Sequence, residues 1–363
     1  MPFGWPDNRL IDLFEIEHPI IGAPMASAMD AELVAEVSAA GGLGSLPCAM
    51  LTPAQLREQF ARIRARTTKP VNVNFFCHVA PVPNNAREAR WRDTLAPYYR
   101  EIGIDPSMPV PTSNRVPFDA AFCEVIEELK PRVVSFHFGL PAEELLQRVK
   151  AAGCRVASSA TTAAEAVWLE QHGVDAVIAQ GFEAGGHRGM FLTDNIAAQV
   201  GTLALVPQIV DSVKAPVIAA GGIGDGRGIA AAFALGACGV QIGTAYLHCP
   251  EAKISSPHRA AIRSARDDAT AITNLMTGWP ARGFINRIMR EVGPLSDLAP
   301  QFPLAAGALA PLRAKAEAAG SGDFSPMWSG QAAALGREMG AGALTKQLAA
   351  EAQDQLRRLA MRC

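Results

Sequence analysis

Paired cysteines are missing from this sequence. Its seven cysteines, at positions 48, 77, 123, 154, 238, 249 and 363, are dispersed, odd in number and never spaced as CxxC. That excludes the disulfide framework of a small secreted chain. Cys154 and Cys238 sit in Ala/Gly/Val-rich surroundings, where a small buried thiol is the ordinary outcome. Cys48 and Cys77 lie near expected strand ends, yet neither has a base close by in sequence, so no cysteine is assigned to catalysis. Charge of one sign is missing too. Only 19% of the 363 residues are charged, 33 basic against 35 acidic, for a formal net charge of −2. Neither a nucleic-acid nor a membrane partner is expected from such a balance. No long apolar run opens the chain, since Pro2, Pro6, Asp7 and Asp12 come first. A secretory signal or transmembrane span is therefore not expected, and the expected location is cytoplasmic.

What is present is a rhythm. From residue 18 to about 250, short apolar runs alternate with Ala/Leu-rich stretches, as repeated βα units do. Strands are expected at 19–22, 43–46, 71–75, 132–136, 155–158, 175–179, 216–219 and 239–242. Helices are expected near 30–40, 53–65, 119–129, 142–152, 162–172, 198–212 and 227–236, with Asp30, Thr52, Asp119 and Thr161 as caps. Eight strands make a closed barrel more economical than an open sheet. The expected fold is α/β: a TIM (β/α)8 barrel over 1–250, carrying a long insertion at 76–117. A smaller, mostly helical domain would cover 251–335, and a C-terminal helix within 336–363 would return to the barrel.

In such a barrel the C-terminal strand ends converge on one face, and several chemistry-bearing residues fall there. Met25 follows a Pro-Ile-Ile-Gly-Ala-Pro run, Asn74 closes Pro70-Val71-Asn72-Val73-Asn74, His137 follows the fourth strand and Gln180 follows the sixth. After Gln180 comes Gly181-Phe182-Glu183-Ala184-Gly185-Gly186-His187-Arg188-Gly189, adaptable backbone beside an ionisable imidazole. His187 either serves a site or caps a neighbouring element. Each of the other residues also has a bland reading. Met25 is a ready core filler, Asn74 and Gln180 can satisfy barrel backbone groups, and His137 can sit in a core bound to backbone.

Two glycine segments follow the last strands, Gly221-Gly222-Ile223-Gly224-Asp225-Gly226 and Gly243-Thr244. Their amides and the Thr244 hydroxyl suit a phosphate, in the place where barrels commonly bind one. The GxxxxGK[ST] pattern is absent, so nothing points to ATPase chemistry. The alternative is plain turn architecture.

Taken together, these segments resemble the flavin-dependent nitronate monooxygenases, once grouped as 2-nitropropane dioxygenases. The resemblance rests on Pro19 through Met25, Gln180 through Gly189, Ala219 through Gly228, Gly239 through Thr244, Ala281-Arg282-Gly283 and Met327 through Gln331. It implies bound FMN, with the phosphate near Gly221, Gly222, Gly243 and Thr244. Further flavin contacts are implied at Pro24, Met25, Asn74, Gln180, Gly185, Gly186, Gln241 and Ile242. It implies catalytic roles for His187 and His137, the latter placing the nitro group. The implied reaction is oxidative denitrification of small anionic nitronates such as propionate 3-nitronate, with O2 as co-substrate and a carbonyl product plus nitrite or nitrate. A nitronate arrives deprotonated, so His187 is expected to bind and orient it, and to act as a base only if neutral nitroalkanes react. No metal is expected, and a homodimer is left open.

The insertion contains His78, Trp91, Tyr98 and Tyr99, and is either a lid over substrate or a packed surface excursion with a helix near 85–100. His78 is accordingly a secondary substrate-binding candidate. Beyond 250, helices are expected at 257–269, 281–292 and 344–360, with a proline-punctuated crossing from Pro294 to Pro311. Trp279 and Trp328 are expected at the domain interface, and Trp279 departs from the family's usual Gly-Arg-Pro before Ala-Arg-Gly. Three other functions stay open. They are a nicotinamide-dependent enoyl-thioester reductase on the same flavin barrel, an IMP-dehydrogenase-like enzyme, and a flavin redox sensor without turnover. The second lacks a recognisable catalytic cysteine loop.

Overall fold

The computed structural model describes residues 4–111 and 115–361. Eight parallel strands form the core: β1 (Ile20–Gly22), β2 (Gly44–Pro47), β3 (Val71–Phe76), β4 (Val133–His137), β5 (Arg155–Ala160), β6 (Ala176–Gln180), β8 (Val217–Ala220) and β9 (Gly239–Ile242). They pair in the order β1-β9-β8-β6-β5-β4-β3-β2. A parallel bridge between Ile21 and Leu43 joins the two ends, so the sheet closes into a barrel. Closure removes sheet edges and leaves β-branched and small residues on both faces, which is why these runs read as nearly continuous apolar sequence.

Local chemistry fixes the helix starts. Asp30 and Asp119 accept amide hydrogens of Glu32 and Phe122, and Thr52 forms a capping box with Gln55. Thr161 does not cap the next helix. Thr162 does, accepting from the Glu165 amide, while the Thr161 hydroxyl donates to the Glu165 carboxylate at 2.7 Å. One residue later in the chain, the hydroxyl is the one that meets the free helix amides.

One end of the barrel is plugged. The helix Arg9–Phe14 inserts Leu10 and Phe14 among Ile21, Leu43, Val133, Ala176 and Ile218. An added Cβ on Gly239 would lie 2.4 Å from Leu10, so glycine is required at that entry. The opposite end, where the strands finish, is left for a site. The outer helix ring has a gap after β9, because the helix there spans only Thr244–Leu247. The helix Ala341–Ala360 fills it, burying Leu344, Leu348 and Ala352 in the barrel core.

A second core lies over the open end. Trp91, Leu95 and Tyr99 of the helix Asn85–Glu101 pack with Leu275, Met276, Ile288, Leu309, Leu312 and Phe324. The insertion thus shares its core with the later segment rather than with the barrel. That segment is less helical than its sequence suggests. β10 (Thr270–Thr273), β11 (Ala281–Phe284) and β7 (Gly186–His187) form an antiparallel sheet. Residues 281–284, expected as the start of a helix, are drawn into this sheet, and the helix is cut to Arg287–Glu291. The first late helix stops at Arg263 rather than 269, and Pro311 lies within the helix Ala305–Ala318 rather than in a crossing segment. Among the described residues no helix is long and apolar enough to cross a membrane.

Candidate active site

The loop after β6 is held by its own polar groups. Gln180 closes it from both ends of its amide: Nε2 donates to the His187 carbonyl at 2.9 Å, and Oε1 accepts from the Gly189 amide at 2.7 Å. Arg188 is fully buried beneath it. Its guanidinium donates to the carbonyls of Gly181 and Gln180 and to Gln199 Oε1. A buried guanidinium can stay only when its N–H groups are matched in this way. Burial pushes it down to about 10, still charged at neutral pH. On the far side, the Trp279 indole donates to the Arg188 carbonyl at 2.8 Å. Glu165, buried in the first turn of the helix Ala163–Gln171 after β5, accepts from the amides of Phe191 and Leu192 and secures the exit.

His187 emerges from this loop as part of β7, opposite Ala281. Its Nε2 lies 2.9 Å from Thr277 Oγ1, and Nδ1 takes no partner among the described residues. Rings of Phe76, Phe302 and Trp328 stand around it at centroid distances of 5.9, 5.2 and 5.4 Å. Burial, then the positive charge of Arg115, hold it well below the ordinary imidazole range, so it is neutral. His137 is committed differently. Nε2 faces the His187 carbonyl at 3.2 Å and Nδ1 meets Ser159 Oγ at 2.6 Å. Both nitrogens are thus engaged by protein, and burial pushes the ring down to about 4. Placing the nitro group by a hydrogen bond from His137 would require one of these bonds to open.

Across the same hollow lies backbone. Gly221 and Gly222 hold φ of +114° and +71° in succession, a conformation that L side chains rarely adopt. Among the described residues, the amides of Gly222, Ile223, Gly224, Gly243 and Thr244 donate to no protein group. Successive free N–H groups of this kind form a concave anion seat. Thr244 Oγ1 accepts from the Gly330 amide at 2.9 Å, which leaves its own hydrogen to give. The side-chain oxygen of Gln241 is buried without a partner. A flavin mononucleotide fits such a donor set: the free amides match its phosphate, and the orphaned oxygen matches a ring or ribityl donor. The hollow holds about 1660 Å³ of empty space with its open mouth included.

Pro24, Met25, Asn74, His137, Gln180, Gly185, Gly186, His187, Gly221, Gly222, Gln241, Gly243 and Thr244 all line this hollow. Two expected residues do not. Ile242 is 1% exposed and belongs to the barrel core. His78 stands behind the wall, its ring 4.8 Å from Phe302, with Nδ1 buried and unpartnered and its basicity pushed down to about 4 by burial and Arg115. Cys48 and Cys77 also lie outside the lining, and burial pushes both thiols far from the thiolate. Sequence reasoning missed Thr277, Arg115 and Arg313. Arg115 and Arg313 line the hollow from the second core's side, Arg313 with Nε 3.0 Å from Glu317. Among the described residues, no group of three or more His, Cys, Asp or Glu could hold a metal.

Comparison with known proteins agrees with this geometry. A nitronate monooxygenase from Pseudomonas aeruginosa is 42% identical over 348 residues, covering 95% of this chain and 99% of its relative. One from Paraburkholderia phytofirmans is 40% identical, covering 97% of each. Among solved structures, nitroalkane oxidase from Streptomyces ansochromogenes superposes with a TM-score of 0.88 at 36% identity, covering 97% of this chain and 99% of that one. FabK from Thermotoga maritima gives 0.75 at 31% identity, covering 98% and 99%. The nitronate monooxygenase family pattern matches residues 7–351, and this chain, an enzyme of monooxygenase type, belongs to that family.

Proposed function

We propose that the chain is an FMN-dependent enzyme that oxidatively denitrifies small alkyl nitronates such as propionate 3-nitronate, consuming O2. The observation that carries the reading is the pairing of two unlike walls across one hollow. Free glycine amides and Gln241 lie on one side, and His187 within an aromatic ring wall lies on the other. Gly222, Ile223, Gly224, Gly243 and Thr244 would hold the phosphate, with Gln241 and Asn74 toward the ring system. FMN, when bound, supplies the one-electron and oxygen chemistry that no side chain here can perform.

The protein's own contribution is placement and charge. Arg115 places positive charge at the hollow that would favour a small anion, whereas Arg313 is paired there with Glu317. Phe76 and Trp328, which line the hollow beside His187, would exclude water around it and so strengthen each polar contact made inside. A nitronate arrives without the α proton and needs no base, so His187, held neutral by burial and by the charge of Arg115, would bind and orient it through a ring N–H. Gln180 and His137 hold the His187 backbone so that the ring stays at this distance from its neighbours.

The likeness to FabK favours one rival, a reductase driven by a nicotinamide. Mixing FMN-loaded protein anaerobically with propionate 3-nitronate, neutral 3-nitropropionate or NAD(P)H, then admitting oxygen, separates the two. Bleaching of the flavin by the nitronate, with nitrite after aeration, is expected. Efficient bleaching by NAD(P)H alone would replace the proposal with the reductase.

A further inference from the structure

A hydroxyl and a carbonyl decide where the protons sit on the two histidines of the site. Thr277 is 1% exposed, and a hydroxyl buried so completely must give its hydrogen to an acceptor. Among the described residues, its one hydrogen-bond partner is His187 Nε2, at 2.9 Å. The hydroxyl therefore donates and Nε2 accepts. A neutral imidazole carries one N–H, so the proton sits on Nδ1. Were Nε2 protonated instead, the Thr277 oxygen would accept and its own hydrogen would be stranded in the interior.

We propose that Thr277 is a positioning residue that locks His187 as its Nδ1–H tautomer, so that the imidazole offers the hollow a hydrogen-bond donor and no basic lone pair. A nitronate presents two oxygens that share its negative charge, and an N–H donor matches either. A neutral nitroalkane needs a lone pair to take its α proton, and the locked ring has none to give. The same geometry thus selects the deprotonated form of the substrate.

His137 supplies an internal contrast. Its Nε2 faces a carbonyl, which can only accept, and its Nδ1 faces Ser159 Oγ. The proton must sit on Nε2, with the serine hydroxyl donating to Nδ1. Neighbouring imidazoles therefore hold opposite tautomers, that of His187 set by a hydroxyl and that of His137 by a carbonyl. The His137 proton is spent on the His187 carbonyl, whereas the His187 proton is left for a ligand. Nothing near Thr277 in sequence marks it for this role, since His187 lies 90 residues away.

The substrate half of this inference rests on the function proposed above, but the tautomer does not. Holoenzyme labelled with ¹⁵N-histidine gives a two-bond ¹⁵N–¹H spectrum that distinguishes protonated from bare ring nitrogens, with His187 assigned by its loss in His187→Gln. A protonated Nδ1 on His187 and a protonated Nε2 on His137 are expected. Thr277→Val should release His187 into a tautomer mixture and raise KM for the nitronate by about 10-fold, the scale of one lost hydrogen bond to a charged ligand, with kcat little changed. Thr277→Ser should restore both the spectrum and KM, which a merely space-filling threonine would not require. A protonated Nε2 on wild-type His187 overturns the proposal, and so does a Thr277→Val protein with unchanged tautomer and KM. If the valine variant fails to fold, the wild-type spectrum still decides. Protonated Nδ1 in an enzyme that ignores nitronates would sink the proposed function and leave the tautomer standing.

Discussion

At the ends of β8 and β9 the hollow is walled by backbone: glycines with positive φ, amides without partners, and helices that start where strands stop. On the other side it is walled by side chains drawn from distant parts of the chain, with Phe76, His187 and Trp328 lining it and Phe302 packed against Phe76 and His187. The first wall uses atoms that every residue has and asks only that Cβ be absent. The second depends on the identity of each side chain and on a separate core to hold it. A backbone wall suits a cofactor of fixed shape, and a side-chain wall can be changed one residue at a time to suit a substrate.

The sharpest way to break this comparison is to strike the joint between the walls. Arg188→Met removes the donors to the Gly181 and Gln180 carbonyls and to Gln199 Oε1; the Gly181 carbonyl keeps the Ala184 amide, and the other two acceptors lose their partner. A loss of about 4 kcal/mol is expected, at 1–3 kcal/mol for each orphaned group. Urea unfolding and flavin absorbance together should show both stability and cofactor falling. A variant as stable as the parent would mean that the loop is not the joint. Trp91→Ala should be somewhat milder, removing about 3 kcal/mol from the second core alone. Hydrogen exchange should rise in residues 85–101 and 305–318 while FMN stays bound, and equal loss of flavin would erase the distinction drawn above.

The smallest effect is one of pH. Burial pushes His258, whose Nε2 bonds to the Trp328 carbonyl, down to about 4. The folded state keeps it neutral, whereas the unfolded chain takes up a proton from about 6.5 downward. Stability is therefore complete above pH 6.5 and declines as the pH falls toward 4, by up to ~1.4 kcal/mol per pH unit for one such group. Unfolding free energies at pH 7, 6 and 5 should show a shallower decline in His258→Gln than in the parent.

These contrasts also explain what could be read beforehand. Every barrel strand was legible, because β-branched runs bounded by glycine and proline carry their own boundaries in local sequence. Positive-φ glycines are legible for the same reason. Residues 281–284 were misread because their strand is held from both sides, by Thr270–Thr273 and, at Ala281 and Arg282, by His187 and Gly186 nearly a hundred positions earlier. Arg282 and Phe284 have no local pattern that distinguishes a two-sided strand from a helix turn. Thr277, Arg115 and Arg313 were invisible for a related reason: each matters only through residues brought near by the second core. The insertion was ambiguous from sequence because Trp91 and Tyr99 mark a packed helix without saying against what. The answer, the helix Ala305–Ala318, is some two hundred residues away, with the Trp91 indole donating to the Ala305 carbonyl.

The helix Ala341–Ala360, which fills the gap in the outer ring, has a consequence for how the protein is made. It packs so tightly against the helix Gly226–Ala234 that a Cβ on Gly226 would lie 2.4 Å from Glu351, and its Thr345 bonds to the Tyr246 hydroxyl. Synthesis delivers all eight barrel strands before this helix exists. A ribosome that has finished the last strand still displays an open apolar groove between two helices for roughly another hundred residues, or about 5–20 s at ordinary elongation rates. The native barrel is thus completed well after its last strand has been made, and its most exposed moment comes after its sheet could already have closed.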